Sequence, residues 1–301
     1  MTAETTWDTF PTGHEPIAPG VGGFPQRPFL EAVWRHRSDS DVRLHIESSA
    51  RGAAAIVLTE GVVKFAGQSD LTDYHAPVGP EGAEALAAAL GRFRDTPFQL
   101  DSLPVEAVAP ITDALGEAEI DATVIEREST AVLALPATFD DWLMSIGKKQ
   151  RHEVRRKRRK FEAEFGAIAI ERHADDAIEV FCRMHRLSGG DKGHFMTAPM
   201  QAYFTELLTT AGASIHLLVC EGVPRAAAFG FETENGYYYY NSAYDPDAAM
   251  ASPGVVLLST MIETEIDRGA ETFDFLKGDE QYKLRHGAEL RPLFVIDGRV
   301  P

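Results

Sequence analysis

YYYYNSAYDPDAAMASPGVVLLSTMIETEIDRGAETFDFLKGDEQYK, residues 237–283, carries more structural information than any other part of this chain. An aromatic run of β-forming residues leads into a loop ending Ser252-Pro253-Gly254. An amphipathic helix follows, and a second strand breaks at Gly278-Asp279-Glu280. The helix signals agree with one another. Ser252 suits the N-cap, Pro253 suits the first helical position, and Gly254 removes a side chain where another group could approach. Val255, Leu258, Ile262 and Ile266 fall on one face, and Gly269 after Arg268 closes the helix. A strand entering a helix through such a turn leaves backbone N–H groups at the positive end of the helix dipole, which suits a phosphate or pyrophosphate. Ser252, Gly254 and Val255 are therefore candidate anion-binding residues, against the plainer reading of a well-capped helix start.

The chain has 301 residues, 44% of them hydrophobic and 25% charged, enough for two ordinary soluble domains. No apolar run reaches membrane-spanning length. The first residues, MTAETTWDTFPTGHEPIAPG, lack the basic-then-apolar pattern of a signal peptide, so a cytoplasmic protein without membrane insertion is expected. Cys182 and Cys220 stand far apart and read as buried small residues in a reducing compartment. The ten histidines show no metal-ligand spacing, and no metal is expected. The net charge of −17 is unevenly placed: Lys148–Lys160 (KKQRHEVRRKRRK) holds nine Lys or Arg and one Glu, leaving 20 basic against 45 acidic residues elsewhere. Such segregation points to a local anionic partner or an acidic face of the protein itself, rather than to nucleic acid. Val154, Phe161 and Phe165 give this helix a narrow apolar stripe, too thin for a membrane-surface role.

Residues 1–25, rich in Pro, Gly and Thr, read as a flexible N-terminal arm, followed by a first domain over 26–136 and a second over 137–301. In the first, a helix near Phe29–Trp34 precedes strands at Val42–Glu47, Ala53–Leu58 and Val62–Phe65. Then come a helix (Pro80–Arg94), a strand (Phe98–Leu103), a helix (Val105–Leu115) and strands at Asp121–Ile125 and Ala131–Leu135. Pro136-Ala137-Thr138 marks the boundary, with Thr138 and Asp141 spaced as a capping pair for Phe139–Ile146. After the basic helix come a strand (Ile168–Arg172), a helix (Asp176–Leu187), a Gly-rich loop (Ser188–His194) and a helix to Gly212. A three-strand meander follows over Ser214–Cys220, Pro224–Thr233 and Tyr237–Tyr244, turned at Asn235-Gly236. Arg291–Ile296 supplies a last strand. The two halves repeat a similar order, which reads as a duplication with the phosphate-type turn kept in the second.

The Arg-rich segment RHEVRRKRRKFEAEFG, then PRAAAFGF, YYYYNSAYDP, the SPG turn and FDFLKGDEQYKLRHGA together resemble the GNAT superfamily. More closely they resemble its FemAB-like branch of tandem-GNAT proteins, the CelD/BcsL-type acetyltransferases. The resemblance covers roughly 139–298 well and the first half in outline. It implies an α/β (α+β) fold of two tandem GNAT-like domains, each a mixed sheet flanked by helices, the first of them degenerate. It also implies acyl transfer from acetyl-CoA or another acyl-CoA to a small or cell-envelope-related amine or hydroxyl acceptor. Related Fem-type enzymes instead take aminoacyl groups from tRNA, so an aminoacyl-tRNA-dependent transferase is the alternative, and a non-catalytic ligand-binding member is a third reading.

Acyl transfer needs a base for the nucleophile, a donor for the oxyanion and an acid for the departing thiolate. Asp279, Tyr282 and Lys283 lie within five residues. If Glu280 begins a short helix, Asp279 and Lys283 share a face. Asp279 reads as polar anchor or base, Lys283 as charge stabiliser, and Tyr282 as thiolate acid or core residue; the plain alternative is a surface ion pair. Asn241 and Tyr244 end the aromatic strand, where a parallel partner should diverge and admit a thioester arm, although Asn241 also suits a turn. Arg155, Arg156 and Arg159 of the basic helix are candidates for an anionic acceptor, the CoA phosphates or tRNA. Asp191, Lys192 and His194 sit in a Gly-rich loop that could cover the acceptor or simply be solvated, and His185 reads as a core histidine ahead of a catalytic base.

Overall fold

The computed structural model describes residues 6–38, 41–173 and 177–301, with the side chains of residues 190–192 outside that description. Its elements, in chain order, begin with α1 (Arg27–Arg37), β1 (Arg43–Ser48), β2 (Ala53–Thr59), β3 (Val62–Phe65), α2 (Gly82–Leu90), β4 (Pro97–Pro104), α3 (Val105–Glu117) and β5 (Ala122–Ala134). They continue with α4 (Phe139–Ser145), α5 (Lys148–Phe165), β6 (Ile168–His173), α6 (Ile178–Leu187), α7 (Gly190–Phe195), α8 (Ala198–Thr210), β7 (Ala213–Cys220), β8 (Val223–Glu232) and β9 (Gly236–Tyr244). A 3-10 turn (Pro246–Ala251), α9 (Pro253–Arg268), β10 (Thr272–Lys277), α10 (Gln281–Arg285) and β11 (Glu289–Arg299) complete the chain. The architecture is mixed α/β, as the sequence implied. Two differences are local: the strands expected at Asp121–Ile125 and Ala131–Leu135 are one strand, β5, and the expected loop at Ser188–His194 contains α7.

Contacts divide the described chain into two compact units, 1–129 with 291–301, and 130–290. In the first, an antiparallel meander β1-β2-β3 is joined through α2 to β4, which runs parallel to β3 through the pair Val63–Phe98. The last strand of the chain, β11, pairs antiparallel with β4, so Arg291–Pro301 belongs here and not with the second half. The stretch read as a flexible arm is packed instead: Trp7, Phe10, Val21 and Phe24 are buried. Arg291 on β11 holds that stretch by donating to the carbonyls of Pro19 (2.9 Å) and Gly20 (2.6 Å), and it pairs with Glu106 at 2.8 Å. Composition hides such an arm because Pro and Gly fix a path over a surface as readily as they loosen one.

The second unit repeats the order. Its strands run Thr130–Ala134 of β5, then β10, β9, β8, β7 and β6, all antiparallel except the central β9–β10 pair. Tyr237, Tyr239, Phe273 and Phe275 of that pair face a core shared with Val154 and Phe161 of α5 and with Val256, Met261 and Ile262 of α9. The apolar stripe of the basic helix is therefore its packing face. Trp142 of α4 lies fully inside and donates Nε1–H to the His286 carbonyl at 2.9 Å, so its one polar atom is satisfied. α4 starts at the expected cap: Thr138 Oγ1 accepts from Asp141 N at 3.1 Å.

Gly230 on β8 is required by space rather than by dihedral freedom. A Cβ there would lie 2.3 Å from the Tyr237 hydroxyl and 2.5 Å from the Tyr238 carbonyl, whereas a Cβ on Gly254 would meet nothing within 4 Å. Gly230→Ala should cost about 1–3 kcal/mol or more in urea unfolding, and Gly254→Ala much less. Equal stabilities for the two variants would refute this account of the β8–β9 packing.

Candidate functional site

The second unit opens where its central strands part. β9 and β10 pair only through Gly236–Thr272, Tyr237–Phe273 and Tyr238–Asp274. Beyond Asp274, the pairing of β10 with β5 shifts register, and Leu276 takes a left-handed φ of 63°. On the other side of β9, Phe229 pairs with Asn241 and Gly230 with Tyr239, leaving Tyr240 as a bulge. Both irregularities turn the strands apart, so the β9 backbone beyond Tyr238 has no β10 partner. Tyr239 and Phe275 face each other across this gap at 6.5 Å between ring centres, with Tyr282 of α10 set edge-on to Phe275 at 6.3 Å. Burial and the neighbouring Tyr239 and Glu280 push the Tyr282 phenol well above its ordinary pKa, yet the residue is 43% exposed. It is a protonated hydroxyl at the edge of the gap, not a core residue. Burial likewise pushes Tyr239 up to about 12.

Asp279, Tyr282 and Lys283 are gathered by α10, but not in the geometry the spacing suggested. Lys283 is buried, and its Nζ donates to the carbonyls of Leu276 (3.2 Å), Gly278 (3.3 Å) and Lys277. Its carboxylate partner is Glu280 at 2.9 Å, where the (i, i+4) spacing had pointed to Asp279. The ammonium thus ties the frayed end of β10 to α10, and Asp279 is left exposed beside it. Asn241 is turned toward α6: its Oδ1 accepts from His185 Nε2 at 2.8 Å and from Ser242 N at 2.7 Å. His185 is buried, as a core histidine should be. Tyr244 is half-buried against the unit's core.

The start of α9 departs from the expected cap. Ser252 sits in the left-handed region (φ 64°, ψ 51°), and its side chain caps nothing. Its carbonyl instead accepts from Val255 N (3.1 Å) and Val256 N (3.3 Å). Pro253 has no N–H, so Gly254, exposed and with open space before it, presents the leading backbone N–H. Lys160 of α5 reaches the Met250 carbonyl at 2.8 Å, just ahead of this turn. It adds a positive charge that no feature of the 237–283 segment could have revealed. Of the other basic-helix residues, Arg155 pairs with Asp140 (3.7 Å), Arg156 with Glu153 (2.8 Å) and Arg158 with Glu263 (2.7 Å), while Arg159 is exposed. Several of these charges are spent on fastening α5 to its neighbours. The side chains of Asp191 and Lys192 lie outside the described residues.

His216, Glu232 and Glu265 bring ligand-type atoms within 4.8 Å of one another, a grouping that sequence spacing could not show because it joins β7, β8 and α9. Both carboxylates already have cations: Arg172 contacts Glu232 at 2.9 Å and Arg268 contacts Glu265 at 2.7 Å. The His216 Nε2 lies 3.0 Å from Glu232. The set is a partly buried ion-pair network; Glu265 Oε1 has no hydrogen-bond partner among the described residues, and burial pushes that carboxyl up despite Arg268. Burial opposes ionisation of Glu232, but His216 and Arg172 outweigh it and pull the carboxyl from 4.5 down to about 2. A depressed carboxyl stabilises the fold above its unfolded pKa, and that contribution is lost as pH falls through the window from 4.5 to about 2. Glu232→Gln should therefore flatten the loss of stability across that window, as read from denaturation midpoints.

Residues 148–284 match the family model described as an acetyltransferase (GNAT) domain, so this stretch carries the GNAT acetyltransferase fold. A conserved protein of unknown function from Bacteroides thetaiotaomicron VPI-5482 has a similar structure: TM-score 0.66, 12% identity, covering 98% of each chain. The C-terminal domain of a putative lysylphosphatidylglycerol synthetase from Agrobacterium fabrum is also similar (TM-score 0.59, 13% identity, 89% of this chain and 91% of that one). So is FemX (TM-score 0.58, 12% identity, 89% and 90%). At these identities the likeness is one of fold. No curated protein matches by sequence.

Lys283→Met removes an ammonium that serves three carbonyls, one buried and two half-buried, and should destabilise the protein by about 1–3 kcal/mol. Unchanged thermal stability with slowed turnover would return Lys283 to the reacting centre.

Proposed function

We propose that the second unit is an acyl-CoA-dependent acyltransferase that acylates an amine or hydroxyl. The observation that carries this reading is the parting of β9 from β10 beside the open start of α9. The gap offers unpaired strand backbone to a thioester arm, and the Gly254 N–H with Lys160 offers a positive end to its pyrophosphate. The family match over 148–284 supports it. In the transfer, the acceptor's lone pair attacks the thioester carbonyl and the C–S bond breaks. The departing thiolate takes its proton from Tyr282, whose phenol stays protonated near neutrality. Backbone N–H groups of β9 past Tyr238 stabilise the oxyanion. Asp279, exposed beside Tyr282, receives the acceptor's proton. Arg155, Arg156 and Arg159 lie on the exposed side of α5; the first two already face Asp140 and Glu153, which leaves Arg159 as the contact for an anionic acceptor.

Gly254→Glu puts a side chain and a negative charge where the pyrophosphate approaches, so calorimetric acetyl-CoA binding should vanish while the far-ultraviolet spectrum stays unchanged. Retained affinity would sink the assignment. Tyr282→Phe should lower turnover by about two to three orders of magnitude with little change in CoA affinity. The exposed basic residues of α5 also support a second reading, an aminoacyl-tRNA-dependent transferase. Saturable tRNA binding at near-physiological salt, abolished by reversing Arg155, Arg156 and Arg159 to Glu, would favour it over the first.

A further inference from the structure

Lys160, toward the C-terminal end of α5, sits near the start of α9. Lys149 precedes Lys160 by eleven residues, about 16 Å along the helix axis. At that N-terminal end a separate cleft of ≈ 600 Å³ lies between α5, the end of α4 and the far end of α10. Lys149, Lys157 and Arg285 line it, with Gln150, Ser145 and the backbone of Gly147 and Gly287. Its single acidic lining residue, Glu153, is held by Arg156 at 2.8 Å. Arg155, Arg156 and Arg158 all have carboxylate partners within 4 Å, whereas Lys149, Lys157 and Arg285 make no such ion pair among the described residues, although Lys157 also acts on Glu153 at longer range.

The local sequence runs against helix electrostatics here. α5 has no acidic residue in its first turn and a glycine cap without a side chain, yet it opens with Lys148 and Lys149 at the positive end of its dipole. Three cations and unpaired helix N–H groups facing one cleft repel each other unless an anion enters.

We propose that this cleft binds a phosphate-type dianion carried by the acceptor, presenting the rest of that molecule to Tyr282, three residues before Arg285 on the same helix. The acceptor assignment rests on the acyltransferase reading; the anion site does not. Lys157 and Arg285 supply charge from α5 and α10, Lys149 and the α5 N–H groups add to it, and Gln150 hydrogen-bonds a remaining oxygen. The acidic remainder of the chain excludes an extended polyanion beyond the cleft.

The test is a calorimetric titration of the full chain with pyrophosphate, with and without saturating CoA. The wild type should bind one pyrophosphate in the presence of CoA. The variant Lys149→Ala/Lys157→Ala/Arg285→Ala should bind it about tenfold more weakly or worse, with CoA affinity and melting temperature unchanged. Pyrophosphate binding that disappears when CoA is present, or that the triple variant retains, overturns the proposal. Should the protein fail to bind CoA at all, pyrophosphate binding lost in the triple variant but kept in Gly254→Glu still establishes the cleft. A tRNA that displaces pyrophosphate from the wild type would overturn a small dianion in favour of a polyanion.

Discussion

Three residue pairs hold β9 beside β10, and the candidate site opens where that pairing stops. A parallel pair of ordinary length would bury its backbone groups in the ladder and leave nothing to receive a ligand. The strands are forced apart from both sides: Tyr240 bulges against β8, and Leu276 carries β10 out of register with β5. Such an opening exposes carbonyls at the end of β10 that would otherwise cost free energy in a half-buried place. Lys283 offsets that cost from below, and the same contact fixes α10, hence the position of Tyr282. The gap, the pin and the candidate acid are one mechanical arrangement.

The local order of elements was readable because each carried a clean periodic or capping signal. Thr138 and Asp141 marked the start of α4, Asn235-Gly236 the turn into β9, and the stripe of Val154 and Phe161 the buried side of α5. Pattern failed where the determining interaction is remote in sequence. The packing of Trp7 and Phe10 depends on partners elsewhere in the first unit, and Arg291, which ties down Pro19 and Gly20, lies at the other end of the chain. β11 looked like a final strand for the second half because it follows it in sequence; its partner is β4.

The candidate site was legible in outline and misassigned in detail for a comparable reason. Composition placed Asp279, Tyr282 and Lys283 together, but spacing carries no information about depth. Lys283 is inside and Tyr282 at the rim, the reverse of what charge and aromaticity suggest. Ser252 looked like a cap because serine usually is one; a left-handed backbone there turns its side chain away and lets its carbonyl do the work. Lys160 was one lysine among many until the fold laid it against the Met250 carbonyl.

The placement of β11 has a consequence for how the chain comes off the ribosome. Residues 130–290 form a contiguous unit, whereas the first unit lacks its strand beside β4 until residue 299 has emerged, nine residues after the second unit is complete. At roughly 5–20 residues per second the interval after β5 is on the order of ten seconds or more. Throughout it, one edge of the first sheet is an open template for any passing strand. The earlier-synthesised half is therefore the later to mature, and its exposed edge is where a nascent chain of this protein would most need shielding.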